Sequence, residues 1–358
     1  MERLPLFAAL SAAAVFATGA WVFAETLEDT IFIPLDDPAI QYSQQPSNDP
    51  VAVLEKRLES GKAKLDYSPD GWGYLPSVLK QLGINQDSQI LVFSRTSIQT
   101  DHISPRTPRA IYFNDDAAVG YVQRGDELEL TGLDAQRGVY LYTLDTVKSD
   151  APRFGTREDC LRCHQGPVTL GVPGLMISSV HPNTSGPRES HGGAFMTDDR
   201  IPIAERWGGW YVTGTTGKQH HYGNNIALAD PIHPGGPAGE DTQNLTSLAG
   251  FLDTSKYLVP TSDVVALMTL EHQSRMTNLL VRIGWDTRIA LHKAKGGNMD
   301  DATSAKLDSE IGQLATYMLF ANEAPLTSPI KGVSSFTRTF AQRGPRDRQG
   351  RSLRDFDL

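Results

Sequence analysis

The chain has 358 residues, with 42 acidic side chains against 33 basic ones and a formal net charge of −9. That balance argues against a nucleic-acid partner and is compatible with docking to a basic protein or with solubility alone. The apolar fraction of 39% is ordinary for a globular protein, and the length allows two domains or one large one.

The chain opens Met1-Glu2-Arg3 and then runs apolar from Leu4 to Ala24. Small residues at Val22 and Ala24, just before Glu25, predict a signal peptide over 1–24, cleaved after Ala24. The alternative is an uncleaved anchor, since the segment is just long enough to cross a bilayer. A membrane role is expected only in that case. Residues 25–48 read as an extended, proline-punctuated arm. Asn48-Asp49-Pro50 then supplies an N-cap and an early helical proline ahead of a helix over Val51–Leu58. A second helix is predicted over Leu75–Leu82, closed by Gly83.

From Ser88 the pattern changes to short β-rich runs between turn residues: Gln89–Ser94, Arg109–Phe113, Val119–Gln123, Glu127–Leu130 and Val139–Leu144. They predict an antiparallel meander, so 49–149 reads as a helical entry plus a β-rich domain. Nothing in this region proposes chemistry. The predicted class is α+β, with this β-rich N-terminal part followed by a mixed, loop-rich part carrying long C-terminal helices.

Both cysteines of the chain lie in Cys160-Leu161-Arg162-Cys163-His164. C-x-x-C-H is the attachment pattern of a c-type haem. On a helix these three side chains share one face, so two thiols can reach the two vinyl groups of one porphyrin and the imidazole its iron. Thr156, with Asp159 three places on, reads as the N-cap of that helix, and Gly166-Pro167 ends it. A dithiol redox pair would want a thioredoxin-like context, which is not visible. Zinc would want further ligands, and a disulfide across three residues would gain little entropy.

At these residues the chain resembles a monohaem c-type cytochrome. The resemblance rests on the five motif residues and the Gly-Pro behind them. It implies one covalent haem c, with His164 as proximal ligand and the Pro167 carbonyl accepting the His164 Nδ1–H. It also implies attachment outside the inner membrane, which agrees with export to the periplasm, and a redox protein there as partner. Small cytochromes of this kind are much shorter than this chain, and the axial methionine loop that they carry is not found here.

Residues 150–342 form the predicted haem domain, rich in glycine and proline, with strands at Leu175–Val180 and Trp210–Thr213. Trp207-Gly208-Gly209-Trp210-Tyr211 suits either a haem face or a tight aromatic turn of an ordinary core. Ser262–Lys293 carries an apolar stripe at helical spacing, and a further helix is expected over Ala302–Phe320. The tail 343–358, with five arginines and three aspartates, is expected to be disordered.

The sixth iron ligand separates electron transfer from catalysis. His102, His191 and His233 lie in proline- or glycine-flanked loops. His181 follows the motif closely, Met176 sits in an apolar strand, and of His220 and His221 at most one can bind. His272, inside the apolar stripe, is the preferred candidate, with Arg275 one turn along facing a propionate. Arg162 and Arg206 are further propionate candidates. The same pair also suits a peroxidase-like acid–base role over an open iron site. Two functions therefore stand open: periplasmic electron transfer by Fe(III)/Fe(II) cycling, or a haem enzyme or small-ligand binder.

Overall fold

The computed structural model describes residues 32–180, 194–226, 242–352 and 354. The signal segment, the start of the arm, His181, His191 and His233 lie outside them. The fold is α+β, as expected. Its centre is a seven-stranded antiparallel sheet of β1 (Ile90–Val92), β2 (Arg109–Phe113), β3 (Ala117–Tyr121), β4 (Glu127–Asp134), β5 (Gly138–Asp145), β6 (Phe154–Thr156) and, later in the chain, β9 (Trp210–Tyr211). The strand order is β6-β5-β4-β3-β2-β1-β9. A separate hairpin pairs β7 (Ser178–Val180) with β8 (Ala194–Met196). Turn chemistry fixes the register of the meander. Asn114 Oδ1 accepts from Asp116 and Ala117 N–H between β2 and β3, and Asp134 Oδ1 accepts from Gln136 and Arg137 N–H between β4 and β5.

Alternation along β4 buries Leu128, Leu130, Gly132 and Asp134, while Glu127, Glu129, Thr131 and Leu133 point the other way. The first set joins Tyr112, Val119 and Tyr142 against helices α1 (Pro50–Glu59) and α2 (Leu75–Leu82). Asp49 caps α1 through Val51 and Ala52 N–H and also accepts from Ser47 Oγ and Tyr142 Oη, both at 2.5 Å. A Cβ on Gly132 would lie 2.0 Å from that carboxylate, so glycine is what lets the cap sit on the sheet.

The opposite face packs Ile90, Val92 and Phe113 on Trp207, Trp210, Val212 and the first turns of a long helix. A four-residue helix over Leu161–His164 is α3, the long helix Val264–Ala294 is α4, Asp301–Met318 is α5 and Phe336–Arg343 is α6. The buried side chains of α4 include Leu267, Glu271, Ser274, Asn278, Val281 and Trp285, a heptad-like line that is polar in its middle.

Two expectations change, at the domain boundary and in the tail, and at 207–211 the structure takes one of the two readings left open. The boundary at 149/150 has no counterpart in the sheet, because β6 and β9 come from the predicted haem domain and pair with β5 and β1. The aromatic turn at 207–211 is core: Trp207, Trp210 and Tyr211 are buried, with Trp210 Nε1 donating to Ser178 O and Tyr211 Oη to Pro105 O. The tail is ordered as far as it is described. Arg351 pairs with Asp347 at 2.7 Å, Ser352 is buried, and the Arg354 guanidinium lies 4.1 Å from the Phe340 ring while pairing with Asp115. Composition predicts disorder there because it does not register charges that find partners.

Candidate haem-attachment site

Thr156 does not cap the motif helix, because it is the last residue of β6 and pairs with Tyr142. The chain instead enters through a 3₁₀ turn, Glu158–Cys160, which passes directly into α3. Arg157 anchors this entry: its guanidinium pairs with Glu127 and with Asp159, each at 3.0 Å, and its N–H donates to Leu141 O. The motif is thus fastened to the edge of the sheet. Cys160 is half-buried and Cys163 exposed, and both are free thiols. Burial, then the Asp159 charge, pushes the Cys160 thiol up, so it stays protonated at neutral pH.

The ten residues after His164 fold back onto it. Gln165 is extended, Pro167–Thr169 form a 3₁₀ turn, and Leu170 adopts a left-handed conformation. The returning strand meets the motif at Gly174, whose N–H donates to His164 O at 2.8 Å. The Gly174 carbonyl faces His164 Nδ1 at 2.9 Å. This corrects the expectation for Pro167, which is exposed and whose carbonyl accepts from Leu170 N–H instead. The physical reason is the tight 3₁₀ turn, which spends the proline carbonyl locally.

Burial holds the His164 imidazole below its ordinary basicity, the Gly174 bond opposing, so the ring is neutral at pH 7. With Nδ1–H donating to a carbonyl, the lone pair is on Nε2. The nearby charges are a balanced pair. Arg109 and Glu129 meet at 2.7 Å on the sheet face, and Glu129 also accepts from Ser97 Oγ and Gln99 Nε2. Among the described residues no group of three or more His, Cys, Asp or Glu is gathered around a metal-sized site. The donor set is therefore two unbridged thiols and one oriented, neutral imidazole within a single turn. These residues fit a covalently held haem: the thiols are free to be alkylated, and the imidazole presents one nitrogen.

His272 and Arg275 have neighbours of their own. The His272 ring lies between Tyr317 and Phe320, with centroids at 4.7 and 4.2 Å, and its Nδ1 is 3.6 Å from Asp199 Oδ1. Arg275 Nε is 3.6 Å from Asp198 Oδ2, a carboxylate it shares with Arg200. Each side chain of the expected distal pair thus faces a protein carboxylate at a distance longer than a hydrogen bond. Arg206 is also removed as a propionate partner, because it is buried, donates to Ile201 O and Asp199 O, and faces Glu271 at 3.6 Å. Arg162 and His102 are exposed, and Met176 is half-buried two residues beyond Gly174.

His221 is buried edge-on against Trp207 at 5.1 Å, and its backbone is held by Gln243 on both sides. Burial, with the neighbouring His220 charge, depresses it to about 4. Below pH 6.5 the unfolded chain takes up this proton and the folded one does not. Stability is therefore expected to fall by about 3 kcal/mol between pH 6.5 and 4. Denaturant titrations should show that His221→Gln removes most of this slope.

Gly174 and Asn278 are the site residues that sequence reasoning missed. The sequence carried no clear signal for either, because Asn278 lies on a buried line of α4 that also holds Glu271 and Ser274. Compared with known protein families, curated proteins and solved structures, the chain matches none.

Proposed function

We propose that this chain is an exported c-type cytochrome. It carries one haem on Cys160 and Cys163, with His164 as proximal ligand, and passes single electrons to a redox protein in the periplasm. The observation that supports this most is the Gly174 carbonyl 2.9 Å from His164 Nδ1, directly behind two free thiols. A carbonyl in that position fixes the tautomer and orientation of a metal-binding imidazole and raises its basicity as a ligand. A bound haem supplies a reversible one-electron couple.

The chain's own contribution is positional and electrostatic. Arg157 ties the motif to the sheet, and the 165–174 turn sets the ring. The neighbouring Arg109–Glu129 pair is neutral overall, so its net field at the ring is small. Spectroelectrochemical titration tests the proposal. One reversible one-electron wave is expected; turnover of peroxide by a protein that shows no such wave would point to the enzyme reading instead.

That second reading depends on a free His272 and Arg275. Since the His272 ring is stacked between Tyr317 and Phe320, His272→Ala is expected to leave the ferric absorption spectrum unchanged. It should cost about 1–2 kcal/mol of stability from two lost ring stacks. A change of spin state in His272→Ala would restore it as an axial ligand or distal base.

A further inference from the structure

We infer that Asn278 of α4 is a positioning residue for the iron-binding face of His164, acting through the peptide at Gly174–Leu175. This rests on the reading of His164 as proximal ligand. The Asn278 carboxamide makes both hydrogen bonds of a strand-like pair with Leu175: Leu175 N–H donates to Oδ1 at 2.9 Å, and Nδ2 donates to Leu175 O at 2.7 Å. One residue earlier, Gly174 exchanges two bonds with His164 through its N–H and its carbonyl. Asn278 is 3% exposed, so its amide has no water to turn to. Rotation of the Gly174–Leu175 peptide, which would swing the Gly174 carbonyl away from Nδ1, must break the Leu175 N–H bond to Asn278 Oδ1, while the bond to Leu175 O holds the next peptide in place.

The fit is close on both sides. A Cβ on Gly174 would lie 2.3 Å from Asn278 Oδ1 and 2.9 Å from Thr169 Cβ. Glycine at 174 and asparagine at 278 are therefore one device. One turn further along the helix, Arg282 Nη1 donates to Leu170 O at 2.8 Å and holds the middle of the same loop. The helix thus grips the loop at its middle and at its far end, and the grip nearer the imidazole is neutral, adding no charge beside the iron.

The test is the reduction potential of the haem-loaded protein, with hydrogen exchange of the 170–176 segment read alongside. In Asn278→Ala a less firmly held carbonyl makes His164 a weaker donor to ferric iron. The potential should rise by roughly a tenfold change in the oxidised-to-reduced ratio, about 59 mV for one electron, with faster exchange at 170–176. Gly174→Ala, which displaces the carboxamide from the other side, should move both readouts in the same direction. Val281→Ala loosens the same helix where it packs over Gly138 and should leave the potential unchanged.

An unmoved potential in Asn278→Ala, or an equal rise in Val281→Ala, overturns the inference. Should neither loop variant fold, the wild-type His164 Nδ1–H decides. A slowly exchanging proton resonance supports the clamp, and rapid exchange with solvent contradicts it. Absence of haem from the wild-type protein would be a separate failure, that of the function proposed above.

Discussion

The double variant Cys160→Ala/Cys163→Ala is expected to lose all of its porphyrin on acid extraction, whereas the wild-type protein loses none. The two thiols are unbridged, Cys160 half-buried against the core and Cys163 exposed, and no other cysteine exists in the chain to replace them. Each single variant keeps one thioether and should therefore keep its haem through extraction. His164→Ala separates attachment from ligation. Its cysteines are intact, so the haem stays bound, but the absorption spectrum must change because the oriented imidazole is gone. The contrast between these variants assigns the three motif residues to two different tasks.

The second large effect lies away from the motif. Arg206 and Glu271 are each 1% exposed and 3.6 Å apart, and they join the 197–207 segment to the buried side of α4. Burial raises the Glu271 carboxyl, while Arg206, then Trp207 and Thr197, pull it back. Truncation in Arg206→Ala leaves a buried carboxylate without its cation, at a cost of about 3–5 kcal/mol in denaturant melts near neutral pH. The folded protein in this variant prefers the neutral acid, with a pKa above the unfolded value. The penalty is therefore small below the unfolded pKa and grows as pH rises. Arg206→Ala should accordingly be closer to wild type at pH 5 than at pH 8. Replacing both residues by apolar ones of similar volume should recover most of the loss.

Legibility in the sequence followed how local each determinant is. The bounds of β2 and α2 match their predicted spans, because alternation, a helical proline and a glycine cap are near-neighbour signals. β4 runs four residues past its predicted end, through Thr131 and Gly132, since a threonine and a glycine read as turn until a partner strand is known. β6 has three residues and exists only because β5 offers an edge, so Thr156 looked like a helix cap. The grouping of Cys160, Cys163 and His164 in one turn was plain from spacing alone. The orienting carbonyl was not, because it comes from a ten-residue loop whose closure is set by Leu170 and by Asn278, over a hundred residues away. For His272 the residue was legible but its surroundings were not. A histidine on an apolar stripe suggested a ligand, but its neighbours turned out to be two aromatic rings and a carboxylate.

The separation of the 271–285 line from the His272–Arg275 side of the same helix gives α4 two jobs. Its buried asparagine reaches the loop behind the motif, and its other side receives α5 through Tyr317. A single rigid element therefore connects the proximal side of the proposed haem with the C-terminal helices.

Intact mass under denaturing conditions, on protein expressed with a haem-attachment system, decides whether Cys160 and Cys163 carry a covalent haem. A coloured chain heavier by one haem is expected, with no thiol left to titrate. A colourless chain at its own mass, with Cys160 and Cys163 both reactive to thiol reagents, would contradict it.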